Sequence, residues 1–130
     1  MRGATMPEDS VPDGDVYEWY QRGARLLAEG HPAAATTLLE RAATTEPASR
    51  SIREALAPAQ YDAGRYEDAM RSFQTLIGIR PTDDYAHFGL GLAASRAAEH
   101  LALGVAMRPD FGHYARALRG VRARQAAESA

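Results

Sequence analysis

The sequence contains no cysteine, no lysine and no asparagine. Without cysteine there can be no disulfide framework and no thiolate metal site, so nothing in the composition requires an oxidising compartment. No stretch approaches the roughly 18 uninterrupted apolar residues of a membrane-spanning helix, and the first residues hold no apolar segment of a secretion signal. We therefore expect a cytoplasmic protein with no membrane segment. Lysine and asparagine codons all begin with AA, so their absence points to a GC-rich bacterial genome.

The composition of the 130 residues is that of one small domain with a modest core. The chain is 45% hydrophobic and 25% charged, with a formal charge of -2, and it falls in no extreme class of composition. Residues 1–15 contain two prolines, two glycines and five charged positions. This polar segment predicts a disordered acidic tail.

The rest of the chain repeats itself at an offset of 34 residues. Turn glycines, small residues, large apolar residues and prolines coincide at this offset. The aligned pairs are Gly30 with Gly64, Ala35 with Ala69, Leu39 with Phe73, and Pro47 with Pro81. Each unit predicts a helix, a turn at the glycine, a second helix and a stop at the proline. The small residues would let the paired helices approach, and the large residues four positions later would fill the space between them.

At these positions the chain resembles the tetratricopeptide repeat (TPR) family, whose 34-residue unit is a hairpin of two helices. The residues that match the family pattern are Trp19, Gly23, Leu26, Gly30, Ala35, Leu39, Ala42 and Pro47 in the first unit, and Leu56, Ala57, Gly64, Tyr66, Ala69, Phe73 and Pro81 in the second. The resemblance covers residues 16–109, divided into 16–49, 50–83 and a shortened 84–109. It implies an all-α solenoid of helical hairpins.

Three residues depart from the family pattern. Arg22 replaces the preferred leucine, Arg53 stands at the tryptophan position, and Pro58 falls inside a predicted helix. Pro58 removes a backbone donor and crowds the carbonyl of Glu54, which predicts a kink that costs about 3 kcal/mol unless packing compensates. The alternative is that this helix begins late.

The third unit lacks its turn. Its first helix stays in register at the offset of 34, whereas its second helix aligns only at an offset of 28, where Phe73 meets Leu101. The six absent residues are the counterparts of residues 63–68. Arg96 is therefore joined directly to Ala97.

Local propensity favours a continuous helix through this junction. Residues 92–103 contain no Gly, Pro, Asn or Asp and are rich in alanine and leucine. We expect one fused helix from about residue 84 to residue 107, roughly 35 Å long at about 1.5 Å per residue. The alternative is a helical turn that unwinds around Ser95 and Arg96 and makes a short hairpin in a monomer.

A fused helix would leave both of its halves with an apolar face to bury. A second copy aligned antiparallel would bury both faces by exchange of the segment after Arg96, which gives a domain-swapped homodimer with an isologous interface. The residues predicted for this contact are Leu90, Ala94, Arg96, Ala97, Leu101 and Val105. Higher or looser assemblies are a further alternative.

Residues 110–130 predict one more helix. Tyr114, Leu118 and Val121 recur on one face, with four arginines mostly elsewhere. We expect a capping helix that keeps the end of the solenoid soluble. A nucleic-acid patch is the alternative, which the slightly negative net charge disfavours.

In the family that the chain resembles, the first helices of successive hairpins line a concave groove that receives peptides or partner helices. The corresponding residues here form a predicted aromatic groove: Tyr17, Tyr20, Leu27, Glu54, Tyr61, Tyr85, Phe88 and Leu92. Either these residues bind a protein or peptide partner, or they pack within the repeat stack, or a second copy of the chain fills the groove.

A small enzyme is the rival class. The four histidines of the chain are scattered along the sequence, at His31, His87, His100 and His113. The sequence has no metal-binding helix motif, phosphate loop or nucleophile elbow. The carboxylate pairs stand at predicted helix starts, where they complement the helix dipole. We therefore expect a non-catalytic adaptor or scaffold, without metal or cofactor, that binds a protein or peptide.

Overall fold

Six helices make up residues 13–129, the part of the chain that the structure, a computed structural model, describes. They are α1 (Asp13–Ala28), α2 (Pro32–Thr45), α3 (Arg50–Asp62), α4 (Tyr66–Ile79), α5 (Asp84–Met107) and α6 (Gly112–Ser129). No strand occurs in this range, so the predicted all-α class is confirmed. The described residues form two compact units, one with α1 to α3 that ends at Ala63 and one with α4 to α6 that begins at Gly64.

The predicted acidic tail falls mainly outside the described residues. Of residues 1–15, the first twelve lie outside them, and α1 already begins at Asp13. The helix therefore starts three residues before the repeat region predicted from residue 16. Asp15 is placed in its first turn, where the positive end of the helix dipole favours negative charge.

In the first unit, a glycine brings α1 close to α2. Ala35 and Leu39 of α2 are fully buried, which confirms the packing predicted from the repeat. A Cβ atom on Gly23 of α1 would come within 2.6 Å of the Leu39 Cγ. The core around this contact consists of Val16, Ala35, Leu39, Ala42, Ala43, Ile52, Leu56 and Ala59.

The glycines that the repeat predicted as turns both have left-handed backbone. Gly30 has a φ of 87° and Gly64 a φ of 81°, a conformation that costs glycine little because it has no Cβ. At the end of α1, the His31 N–H donates to the Leu26 carbonyl at 2.8 Å and the Gly30 N–H to the Leu27 carbonyl at 3.1 Å. This pair of bonds closes the helix as a Schellman motif.

Pro58 lies inside α3, which begins at Arg50, so the alternative of a late helix start is wrong. The start is fixed by Ser49, whose side chain accepts a hydrogen bond from the Ile52 N–H at 3.3 Å. Next to Pro58, Ala57 and Ala59 are fully buried. This packing offsets the donor that the helix loses at the proline.

In the second unit, α5 runs without a break for 24 residues, about 36 Å at 1.5 Å per residue. Both ends of the predicted fused helix are confirmed. Asp83 caps its start, because the carboxylate accepts a hydrogen bond from the Ala86 N–H at 3.0 Å. The backbone stays helical through Ser95 and Arg96, so the alternative of a chain reversal there is wrong.

One side of α5 packs against α4. Gly89 lies under the Phe73 ring, where an added Cβ would come within 2.3 Å of two ring carbons. Further along, the rings of Tyr66 and His100 meet edge to face at 5.1 Å. The missing side chain at position 89 therefore sets how closely the two helices approach.

Another side of α5 packs against α6, which runs back along it. Tyr114 lies over Gly104 near one end of the pair, and Glu128 reaches His87 near the other. Leu118 is buried and Val121 fully so. The terminal helix is thus a long antiparallel partner of α5.

We predict that Gly89→Ala destabilises the protein by about 1–3 kcal/mol, the usual cost of overpacking a close contact. Gly91→Ala is the matched control, because it lies in the same helix with nothing within 4 Å of its added Cβ. This control should gain about 0.5–1 kcal/mol from helix propensity. Denaturant unfolding followed by circular dichroism measures both, and equal stabilities for the two variants would contradict the close packing at Phe73.

Candidate functional site on exposed helix faces

In the first unit, two tyrosines of the predicted groove meet at a cleft. Tyr17 is 60% exposed and its hydroxyl accepts a hydrogen bond from the Gln21 Nε2 at 2.8 Å, while Tyr20 is half-buried. The cleft has a volume of about 320 Å³ and is lined by Val16, Tyr17, Tyr20, Glu46, Ser49, Ser51 and Ile52. It combines an aromatic wall with a polar opposite edge.

The other groove residues predicted in this unit do not line that cleft. Leu27, Glu54 and Tyr61 are half-buried. Leu27 packs against the core, and Glu54 forms an ion pair with Arg50 at 3.0 Å. Within the first unit, the structure therefore brings together only the two tyrosines of α1 as an open aromatic surface.

In the second unit, the three predicted groove residues lie together on one exposed side of α5. Tyr85, Phe88 and Leu92 are 54%, 64% and 41% exposed. The Tyr85 ring also packs edge-on against Phe73, with ring centroids 6.0 Å apart. The predicted aromatic face is therefore present here in a single helix.

The same exposed side continues along the second half of α5, where the sequence analysis identified no groove residues. Leu103 and Met107 are 60% and 69% exposed. We call the whole line the α5 stripe: Tyr85, Phe88, Leu92, Arg96, Glu99, Leu103 and Met107. Its members follow one another at steps of three or four residues, and this spacing was the signal that could have revealed the last two.

Two opposite charges occupy the middle of the α5 stripe. The Arg96 Nε lies 3.9 Å from a Glu99 carboxylate oxygen, and both side chains are exposed. The Arg96 guanidinium also lies over the Tyr66 ring at 5.4 Å and donates to the Tyr66 hydroxyl at 3.3 Å. The stripe is therefore apolar at both ends and charged in its centre, and the arginine is oriented by α4.

The residues predicted for the exchanged dimer lie mostly on a different side of α5. Leu90, Ala94 and Ala97 are buried within the single chain, and Leu101 and Val105 are half-buried. A cavity of about 210 Å³ remains on this side, lined by Met70, Leu90, Gly91, Ala94, Ser95, Arg124, Gln125 and Glu128. Helix α6 lies along this side within the single chain, because Arg124 and Gln125 line the cavity together with Leu90 and Ala94. The exchanged dimer stays a prediction.

His87 ties the end of α6 to the start of α5. Its Nδ1 is hydrogen-bonded to the Glu128 carboxylate, and its Nε2 lies 2.9 Å from the Pro81 carbonyl oxygen. The Glu128 contact raises the pKa of His87 above its ordinary value of 6.5, and the Pro81 carbonyl raises the pKa further. Both neighbours are acceptors, so the doubly protonated ring satisfies both.

The remaining histidines have local packing roles or face solvent. His100 packs against Tyr66, His113 lies 4.4 Å from the Tyr114 ring, and His31 is exposed.

Among residues 13–129, no three His, Asp or Glu side chains are grouped so as to hold a metal ion. No helix in that range is both long enough and apolar enough to span a bilayer.

The comparison with protein families decides what this architecture is. A family model described as tetratricopeptide repeat matches residues 26–95, which is more than half of the chain. The chain belongs to the tetratricopeptide repeat family. No curated protein has a significantly similar sequence.

A solved structure shows the same TPR fold. The chain is similar to MamA MSR-1 C2 with a TM-score of 0.58 and 19% sequence identity. The match covers 99% of this chain and 76% of that one. At this identity the likeness concerns the fold of the two chains.

We predict that the His87–Glu128 contact stabilises the protein most at low pH. Because the folded pKa is raised, the contribution is fully present below pH 6.5 and is lost as the pH rises through the folded pKa. In Glu128→Gln, the His87 pKa measured by NMR titration should fall toward 6.5. The stability difference from the native chain should shrink as the pH rises.

Glu99→Gln is the control for this titration, because it removes an exposed carboxylate from α5 without touching His87. It should leave the His87 pKa where it is in the native chain. An unchanged His87 pKa in Glu128→Gln would show that the contact does not form in solution.

Proposed function

We propose that this TPR protein is a non-catalytic adaptor or scaffold that binds a peptide or a partner helix on the exposed sides of its first helices. The observation that carries the proposal is the exposure of large aromatic side chains at the groove positions, above all Tyr17 and Phe88. Aromatic residues supply large contact areas and dominate the cores of protein interfaces. Unless they bind a partner, exposed aromatic side chains lower the solubility of a protein and do not stabilise its fold.

The polar groups near Tyr17 support a peptide as the ligand of the first unit. Ser49 and Ser51 offer hydroxyl groups across the cleft, and Glu46 offers a carboxylate. Such groups can pair with the backbone N–H and C=O groups of an extended or helical segment. The chain has no lysine and no asparagine, so the lysine and asparagine clamp for a terminal carboxylate used by chaperone-binding TPR proteins is excluded.

We predict that the full chain selects peptides from a displayed random library and that Tyr17→Ser/Phe88→Ser loses them. Loss of a buried aromatic anchor costs about 2 kcal/mol or more, which is roughly a 30-fold weaker Kd. Arg119→Ser/Arg122→Ser, a pair of exposed residues on α6, is the control and should bind as the native chain does. Isothermal titration with an enriched synthetic peptide measures the three affinities.

Two results would contradict the proposal. One is equal affinity of the aromatic variant and the native chain for the enriched peptides. The other is turnover, seen as a peptide of changed mass after incubation with the native chain, which would place the protein among enzymes.

A second candidate function is self-association by exchange of the segment after Arg96. The continuous helix through Arg96 and Ala97 favours it, because the two halves of the third repeat cannot fold onto each other. The helix α6 competes with it for the face that carries Leu90 and Ala94. In this arrangement the scaffold would be a homodimer.

We predict that inserting the six residues of the regular turn, Ala-Gly-Arg-Tyr-Glu-Asp, between Arg96 and Ala97 converts an exchanged dimer into a monomer. The insertion restores the reversal that lets the third repeat close on itself. Light scattering at several concentrations gives the mass of both chains. A native chain that stays monomeric throughout would rule out the exchange.

A further inference from the structure

We infer that the α5 stripe binds the α5 stripe of a second copy, antiparallel and in one defined register. The inference rests on the proposed function only in treating the exposed side of a first helix as the binding surface. It differs from the exchanged dimer, which uses the side of α5 around Leu90 and Ala94. Here each chain keeps its own α6 in place.

Six of the seven stripe residues are related in pairs about one point near the middle of α5. Arg96 and Glu99 lie at equal distances from a midpoint between residues 97 and 98. The same midpoint relates Leu92 to Leu103, and it relates Phe88 to Met107. A two-fold axis at this point therefore sets these four apolar residues opposite one another and each charge opposite its counter-charge, while Tyr85 has no counterpart within α5.

The central charges make this register preferable to its neighbours. With the axis at the midpoint, Arg96 of each chain faces Glu99 of the other, which gives two reciprocal ion pairs across the interface. A shift by one helical turn would place one of these charges against Leu92 or Leu103, where it would lose water without gaining a partner. The pair within one chain is long at 3.9 Å and exposed, so the Glu99 carboxylate has room to accept a second guanidinium.

The apolar area matches what a stable dimer needs. Tyr85 and Phe88 are each more than half exposed, and a whole aromatic side chain buries roughly 150–250 Å². With Leu92, Leu103 and Met107, the exposed apolar surface is on the order of 400 Å² per chain. A typical stable interface covers about 800 Å² per partner, of which slightly more than half is apolar.

The stripe is also accessible and straight enough for a second helix. All seven stripe residues are exposed, and α4 contacts the stripe along one edge, at Tyr85 and Arg96. Leu103 follows Leu92 by eleven residues, close to three full helical turns, so the line stays on one side of the helix over its whole length. A second α5 can therefore contact both apolar ends at once.

The test uses two charge reversals, Arg96→Glu and Glu99→Arg, in the full chain. Each alone places like charges opposite each other at both symmetry-related contacts, so the dimer Kd measured by sedimentation should weaken by about 100-fold or more. An equimolar mixture of the two variants should form a 1:1 heterodimer, because every charge then faces its opposite. The pair within each chain is broken in both variants, so rescue on mixing can come only from contacts between chains.

Two controls separate this contact from general charge effects. Arg119→Glu reverses an exposed arginine of α6 and should leave the dimer unchanged. Arg96→Glu/Glu99→Arg in one chain restores complementarity and should dimerise with itself. Circular dichroism confirms that each variant retains its helices.

A second measurement fixes the register. Because the native chain has no cysteine, Leu92→Cys and Leu103→Cys each introduce a single thiol. Mixed and oxidised, the two variants should form the mixed disulfide in excess over either homodimer. A random distribution of the three products would overturn the register.

The inference is overturned if the native chain is monomeric at every concentration, or if the mixture of charge-reversed chains stays monomeric while the native chain dimerises. A dimer that ignores all four charge variants but dissociates when the six-residue turn is inserted supports the exchange instead and likewise overturns it. Peptide binding that depends on Tyr17, which lies outside the α5 stripe, leaves the proposed function intact in each of these cases. Loss of that dependence on Tyr17 with an intact, charge-sensitive dimer overturns only the proposed function.

Discussion

The unbroken backbone between Arg96 and Ala97 determines the architecture of the second unit. Since no turn is present there, one long helix runs through the unit, and its different sides have different surroundings. One side accepts Phe73 over Gly89, and another accepts α6 along Leu90 and Ala94. The third side is exposed and carries the α5 stripe, which α4 contacts at Tyr85 and Arg96.

Because α6 runs back along α5, one apolar side of the fused helix is in contact with another helix of the same chain. A helix of this length with uncovered apolar sides would aggregate or pair, and α6 removes that need on one side by running antiparallel along it. Small residues make this possible, because Tyr114 packs directly over Gly104. The side of α5 that stays exposed within the chain is therefore the α5 stripe, where the apolar residues are larger. This makes the stripe the candidate surface for a partner.

Much of this fold could be predicted from the 34-residue repeat, because the repeated glycines mark the positions where the backbone must turn. The offset of 34 residues identified Gly30 and Gly64, which are the glycines with left-handed φ. The lack of helix breakers after Leu92 predicted that α5 continues without a break through Arg96 and Ala97. Such features depend on local chemistry that a single sequence shows directly.

The side of α5 that α6 covers could not be predicted in the same way. The second half of that helix is apolar on two sides, with Leu101 and Val105 on one and Leu103 and Met107 on the other. Which pair α6 covers depends on the direction of the chain after Pro109, and periodicity contains no information on that direction. The start of α1 at Asp13 was missed for a similar reason, because a polar first turn resembles a tail in composition.

The most direct test of this account is the pattern of NMR contacts between backbone protons along residues 92–101 of the full chain. A continuous helix predicts unbroken contacts from each Hα to the amide proton three residues later, through Ser95, Arg96 and Ala97. A gap in this series at Arg96, together with contacts between the side chains of Leu92 and Leu101, would show that the chain reverses there. That result would contradict the fused helix on which the exposed stripe depends.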